Sequence, residues 1–324
     1  MDVMLQSAKG VDLMALDPTS IDMAYGVGDD PENDMEIVMP ERAPKMERGM
    51  FVYMEGTAYG GMLTGISSSN GVAWHGRTWF GLLASRVLVP DGGVGSLTVS
   101  GNANDVLRSL VSRTGLGSVF KVNAAKSTLT IKSHTFDKYQ DALNGITEML
   151  ASVGGKIRIV HDGDKPVLSA VQAKDWSKDE AFDSDQVDVT IDMDYLPVNH
   201  LVGRGEGQDG ERVAVELYMD DSGAVSTTKQ ALKGALENAE YYNYTSADKE
   251  TLIKDGTKRL KEYWEDAHKV SVALDADLDI YDIGDTVGGT DPRTGIFASA
   301  KVTKKIVKMD ESGTVTVQYE TGAI

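Results

Sequence analysis

The chain contains no cysteine. That absence removes disulfides, thiolate nucleophiles and thiolate metal sites together, and it suits a protein made in a reducing compartment. Basic side chains are also short: 32 Lys and Arg face 50 Asp and Glu, leaving a formal charge of −18 over 324 residues. A protein that wraps nucleic acid must neutralise phosphates with cations, so this balance argues against such a role. Long apolar runs are missing as well, and no stretch approaches the roughly 20 apolar residues of a membrane span. The opening MDVMLQSAKGVD lacks the basic start and apolar run of an export signal. Neither export by that route nor membrane insertion by this chain is expected. Proline is sparse, 8 residues against 34 glycines, a ratio that favours tight turns between strands. What is present is ordinary core-building material, 41% hydrophobic and 25% charged, in a chain long enough for two or three domains.

To about residue 94, short apolar runs alternate with turns: Met35, Ile37 and Met39 on one face, then FVYMEG, GGMLTGISS and Gly81-Leu82-Leu83 through Val89. The pattern predicts an antiparallel barrel or sandwich. From about 95 to 185 the spacing becomes helical, with Val106, Leu107, Leu110 and Val111 following a candidate cap at Asn104 and stopping at Gly115. A hairpin is expected next, Val119 to Val122 against Thr128 to Lys132. Tyr139, Ala142, Leu143, Ile146, Met149, Leu150 and Val153 then mark a second helix ending at Gly154-Gly155. Lys156 to His161 and Val167 to Val171 flank Asp162-Gly163, a strong hairpin signal. From about 186 to 324 strands return, and Val187, Val189 and Ile191 alternate with Asp188, Thr190 and Asp192. A helical insertion is expected over about 227–269, where Thr245 and Asp248 form a capping-box pattern before Leu252, Ile253, Leu260 and Trp264. The expected fold is therefore mixed α+β and β-rich. Two β-barrel-like modules, 1–94 and 186–324, bracket an α+β domain over 95–185.

Gly205-Glu206-Gly207-Gln208-Asp209-Gly210 satisfies the G-x-G-x-x-G spacing of a phosphate-binding loop. A dinucleotide site needs a helix to open after that loop, because the helix N-terminus supplies the free N–H groups. Here Val213, Val215 and Leu217 alternate with polar or small residues, so a strand follows, and Glu206, Asp209 and Glu211 would repel phosphates. A wide glycine-rich hairpin turn is predicted, and no nucleotide cofactor. The five histidines, at 75, 134, 161, 200 and 268, show no metal-ligand spacing, and no serine sits in G-x-S-x-G. Asp275-Ala276-Asp277-Leu278-Asp279 begins like a calcium loop but has Ile280 where glycine is needed and Thr286 where a bidentate glutamate belongs. Asp188, Asp192 and Asp194 are spaced by even numbers and share a strand face. Trp74, Trp79, Tyr241, Tyr242 and Tyr244 could stack on a sugar, although core or interface packing is the commoner use of such residues. No catalytic residue, metal site or cofactor is expected.

Three stretches carry a family resemblance. Trp74-His75-Gly76-Arg77-Thr78-Trp79-Phe80-Gly81-Leu82-Leu83-Ala84-Ser85-Arg86-Val87-Leu88 resembles the G-R-(S/T)…L-L…R-(V/I) stretch of baseplate hub proteins from bacteriophages with long flexible tails, the group that includes the N-terminal parts of tail-associated lysins. Leu201-Val202-Gly203-Arg204-Gly205-Glu206-Gly207, followed by Arg212 and a strand, is similar to their L-x-G-x-G-E-G segment. Tyr281-Asp282-Ile283-Gly284-Asp285-Thr286-Val287, followed by Ala300-Lys301-Val302-Thr303-Lys304-Lys305, is similar to their Y-x-I/L-G-D-x-V strand and its partner.

The resemblance implies a structural protein of the virion tail tip, assembled in the host cytoplasm. Its homotrimer would set two barrel-like domains per chain into a pseudo-sixfold ring that continues the tail tube. Implied partners are a distal tail protein ring, a tape measure protein and receptor-binding or tail-fibre proteins, with DNA passing through unbound. Gly203, Gly205, Gly207 and Gly210 would let the backbone turn, and Arg204 and Arg212 would tie that turn to acidic neighbours. Arg77, Trp79 and Arg204 are the candidate intersubunit contacts. Asp188, Asp192, Asp194, Asp275, Asp277 and Asp279 are candidates for an acidic channel wall that keeps DNA off the surface. Lysin-type relatives continue into a peptidase or glycosidase, whereas this sequence stops at Ile324, so wall cleavage is expected from another protein. Two alternatives remain: a carbohydrate-active or metal-dependent cell-wall hydrolase, and a hub or spike protein of a contractile injection machine with the same fold.

Overall fold

The computed structural model describes residues 2–28, 31–40, 44–68, 71–92, 95–178, 187–229, 234–274 and 279–322. Seven strands come first: β1 (Val3–Gln6), β2 (Asp12–Leu16), β3 (Ser20–Gly26), β4 (Asp34–Met39), β5 (Phe51–Met54), β6 (Gly60–Ser67) and β7 (Val72–Thr78). The predicted alternation is plain in β4, where Met35, Ile37 and Met39 are buried while Asp34 and Glu36 face solvent. A short helix, α1 (Trp79–Ala84), follows β7 directly, and Thr78 caps it by accepting from the Gly81 N–H at 3.4 Å.

The middle segment comprises β8 (Thr98–Asn102), α2 (Ala103–Arg113), β9 (Lys121–Val122), β10 (Thr130–Thr135), α3 (Ala142–Ala151), β11 (Gly155–Asp162) and β12 (Lys165–Gln172). Both helices lie where their apolar spacing places them. Asn102, not Asn104, caps α2. Asn104 is buried instead, donating to Ala125 O and accepting from Ala170 N–H, both at 2.8 Å, so it fastens the helix to β12. β11 and β12 form the expected hairpin around Gly163, whose φ of 65° requires glycine. The expected hairpin before α3 is absent: β9 runs parallel to β12, and β10 pairs antiparallel with β8. A two-residue strand cannot sustain a ladder alone, and each of these strands finds a remote partner.

The last segment comprises β13 (Val187–Met193), β14 (His200–Arg204), β15 (Ala214–Met219), β16 (Val225–Ser226), β17 (Ala239–Asn243), α4 (Lys249–Ala267), β18 (His268–Leu274), β19 (Thr286–Thr290), β20 (Phe297–Met309) and β21 (Val315–Gly322). It does not form one barrel over 186–324. β20 pairs antiparallel with β3, placing Lys305 opposite Tyr25, and the chain's final strands complete the sheet its first strands begin. The result is a curled half-barrel of ten strands ordered β19-β20-β3-β4-β7-β6-β5-β1-β2, with β21 beside β20. Residues 200–267 build a separate four-stranded sheet, β16-β15-β14-β17, with α4 packed on one face. β13 and β18 pair with each other, from Val187↔Leu274 to Met193↔His268, and bracket that unit as a two-stranded stem. The insertion is thus larger than the expected 227–269 and contains strands as well as a helix. Asp248 is the cap of α4, accepting from Thr251 N–H at 2.8 Å, so the capping box expected from Thr245 is displaced by three residues.

The half-barrel and the α+β unit share one large core, whereas the inserted unit has a small core of its own around Leu201, Leu217, Leu252 and Leu260. Among the described residues no helix is long and apolar enough to cross a membrane.

Candidate functional site

The three motif stretches fall at three structural joints. In the first, β7 passes into α1. The Thr78 hydroxyl shares its one proton between Ala24 O and Asn33 O, at 3.0 and 3.1 Å, tying the strand end to β3 and to the approach to β4. A Cβ on Gly76 would sit 2.5 Å from Met62 O, and one on Gly81 would collide with Asn33 O, so both glycines serve close backbone approach. Trp79 is fully buried against Phe51, Phe120 and His161, and its ring is not available to a second copy of the chain. Arg77, two residues earlier, points outward and is exposed.

The second joint is the glycine-rich loop, a hairpin between β14 and β15 containing a single 3-10 turn, Asp209–Glu211. Arg212 holds it: Nε donates to Gly205 O at 2.8 Å, and the guanidinium also reaches Arg204 O at 3.2 Å and Asn243 Oδ1 at 2.7 Å. The expected tie to acidic neighbours is therefore a tie to carbonyl oxygens and an amide. A guanidinium with five donors suits that convergence of acceptors. The glycines differ in what they do. A Cβ on Gly205 would strike the Ala247 carbonyl oxygen and come 2.8 Å from Leu252 Cδ1, and Gly207 has φ 116°. Gly203 has room for a Cβ at ordinary contact distance, and Gly210 faces open space. Arg204 is half-buried and makes no ion pair among the described residues. It lies on a different sheet from Arg77.

The third joint is Tyr281–Val287. Asp285, with a side chain only 2% exposed, accepts from Lys156 Nζ at 2.7 Å, Lys174 N–H at 2.8 Å, Trp176 Nε1 at 3.2 Å and Asp282 N–H at 3.1 Å. Lys156 Nζ also donates to Asp282 at 2.9 Å. One carboxylate thus clasps the segment entering β19 to β11 and to the chain leaving β12. Gly284, at φ 93°, lets the backbone pass beside the Lys156 stem.

Four of the six aspartates proposed for a channel wall lie among the described residues. Asp188 and Asp192 stand on β13, opposite Ala273 and Lys269. Asp194 follows the strand, is exposed, and accepts from Leu196 N–H at 2.9 Å, closing a turn. Asp275 and Asp277 lie outside the described residues. Asp279 belongs to a cleft of about 650 Å3 between the half-barrel and β11–β12, where it pairs with Lys305 and accepts from the Tyr59 hydroxyl. Burial, reinforced by that carboxylate, pushes the Tyr59 phenol far above its usual range. Of the aromatic candidates, Trp74 is buried, while Tyr241 and Tyr244 are exposed on and beside the edge strand β17.

A short sequence repeat, outside the three motif stretches, marks two hairpin turns. Met219-Asp220-Asp221-Ser222-Gly223-Ala224-Val225-Ser226 and Met309-Asp310-Glu311-Ser312-Gly313-Thr314-Val315-Thr316 follow one pattern. Each is a hairpin turn pairing its Met with its Val. In each, the first Asp accepts from the Ser N–H, the Ser hydroxyl and the N–H of the residue after glycine. One turn closes β15–β16 in the inserted sheet and the other β20–β21 in the half-barrel.

No protein-family profile and no curated protein matches the sequence. Among solved structures, the 43 kDa tail protein of prophage MuSo2 from Shewanella oneidensis superposes with a TM-score of 0.54 at 10% identity, covering 99% of this chain and 98% of that one. The chain has a phage-tail-type fold. Similarity also extends to a tail protein from Neisseria meningitidis MC58 (TM-score 0.49, 13% identity, 99% and 96% covered) and to prophage tail protein gp18 from Listeria monocytogenes EGD-e (0.48, 11%, 99% and 94%).

Proposed function

We propose that this chain is a structural protein of a phage-type tail: a hub at the tail tip that, as a homotrimer, continues the tail tube, anchors the tail-tip proteins and surrounds the DNA exit channel. The observation that carries the reading is the end-to-end likeness to the Shewanella prophage tail protein, which takes in the half-barrel, the α+β unit and the inserted sheet together. The duplicated turn supports it. Two sheets of one chain end in the same hairpin, so three copies supply six such hairpins, which suits a threefold object continuing a sixfold tube. The partners are then a distal tail protein ring, a tape measure protein and receptor-binding or fibre proteins. DNA crosses the channel without specific binding.

The face of the half-barrel around β3 and β4 is a second candidate for the channel wall. It presents Asp22, Asp34 and Glu36 on β3 and β4, with Lys308 at 3.2 Å from Asp22 and His75 at 3.4 Å from Glu36. Light scattering on the purified chain at rising concentration tests the assembly. A plateau at about three times 34.9 kDa agrees with the reading, and a dimer as the sole oligomer contradicts it.

A further inference from the structure

His161 stands near the end of β11, one residue before the exposed tip of the β11–β12 hairpin, and its side chain is 0% exposed. Its ring stacks on Tyr53 of β5, centroids 3.4 Å apart and planes 16° from parallel, with the Trp79 ring 6.1 Å away. Neither ring nitrogen has a hydrogen-bond partner among the described residues. The backbone of the same residue makes the joint. Its N–H donates to Thr57 O at 2.8 Å and its carbonyl accepts from Gly56 N–H at 3.2 Å, so two bonds between the β5–β6 turn and the hairpin run through one residue.

Four carboxylates act on the charge of this ring. Glu55, in the β5–β6 turn, has Oε2 3.7 Å from Nδ1, beyond hydrogen-bond length. Asp12 on β2 accepts from the Tyr53 hydroxyl at 2.9 Å and from Gln6 at 3.0 Å. Asp162 and Asp164 flank the hairpin tip, and Asp164 is ion-paired with Lys121 of β9. Burial disfavours the imidazolium while these carboxylates favour it, and burial is the larger effect, holding the ring below the usual histidine range. Glu55 belongs to the turn that includes Gly56 and Thr57, the residues that bond the His161 backbone, so the ring's charge and the joint share one short segment.

We propose that His161 is an acid-sensitive pin: protonation of its buried ring opens the joint between the β5–β6 turn and the β11–β12 hairpin. The sign follows from the direction of the shift. A histidine whose proton affinity is lower in the closed joint than in the open one stabilises closure fully above the open-state pKa of about 6.5. That stability is lost as pH falls below this value, with the opening equilibrium rising about tenfold per pH unit until the closed-state pKa is reached.

Amide hydrogen exchange on the full chain between about pH 8 and about pH 5, corrected for the intrinsic rate, tests this at the Gly56 and His161 amides. The wild type should show the tenfold-per-unit rise there below about pH 6.5, with β4 amides unchanged. His161→Phe keeps the stacked ring without the titration and should be flat over the same range. Should that variant fail to fold, an NMR titration of the His161 ring in the wild type decides, with a value below about 6.5 expected. Equal slopes in wild type and His161→Phe, a flat wild type, or a ring titrating at or above about 6.5 would each overturn the proposal.

Discussion

Removing Asp285 would leave the Lys156 ammonium buried with only the half-exposed Asp282 as counter-ion, a loss that costs about 3–5 kcal/mol in comparable buried pairs. Asp285→Ala should lower stability by that order in chemical denaturation. Lys156→Met combined with Asp285→Leu should lose less than the two single changes added together, because the double variant strands no charge. The glycine-rich loop gives a sharper contrast at the same scale. Gly205→Ala drives a methyl group into the Ala247 carbonyl and Leu252 and should cost about 1–3 kcal/mol. Gly210→Ala meets open space and should stay within about 0.5 kcal/mol of the wild type. Equal effects at the two positions would mean that the loop is not held as described. Calorimetry with NAD, ATP and FAD should show no saturable binding there, because a strand and not a helix follows the loop.

The inserted unit carries a small separate core and joins the rest through the β13–β18 stem, so its elements should open at lower free energy than the half-barrel strands. Hydrogen exchange should show α4 amides exchanging before those of β3 and β4. Asp248→Ala, which removes the α4 cap, should cost about 1 kcal/mol and accelerate exchange in that helix while leaving β3 and β4 unchanged. Elements of this kind are legible in the sequence to different degrees. Helices α2 and α3 are visible because their apolar residues recur every three or four positions, and the β11–β12 hairpin because Asp162-Gly163 fixes its turn. Pairing over long separations leaves no local trace. Nothing around Lys301 to Met309 says that β20 joins β3 and not β14, and nothing in a two-residue β9 names β12 as its partner. The clasp at Asp285 was hidden for the same reason, since its lysine lies 129 residues away. Trp79 shows the converse limit: an aromatic residue in a motif reads as a contact until the packing of its own chain accounts for it.

At the scale of the whole molecule, the proposed trimer would gather three times −18 around one axis, and repulsion of that size must be spread or used. The proposed channel for DNA would use it, because an acidic wall would keep phosphates off the surface where a basic one would hold them through counterion release. Such a hub needs no chemistry of its own. The purified chain should leave cell-wall polymers intact, and hydrolysis abolished by Asp192→Asn would favour the hydrolase alternative. The central claim is position and symmetry, and a cryo-electron microscopy reconstruction of the assembled tail tip measures both. The account predicts three copies on the tail axis, with Asp and Glu outnumbering Lys and Arg along the channel they enclose. Six copies in one ring, a chain placed away from the axis, or a channel lined mainly by Lys and Arg would contradict it.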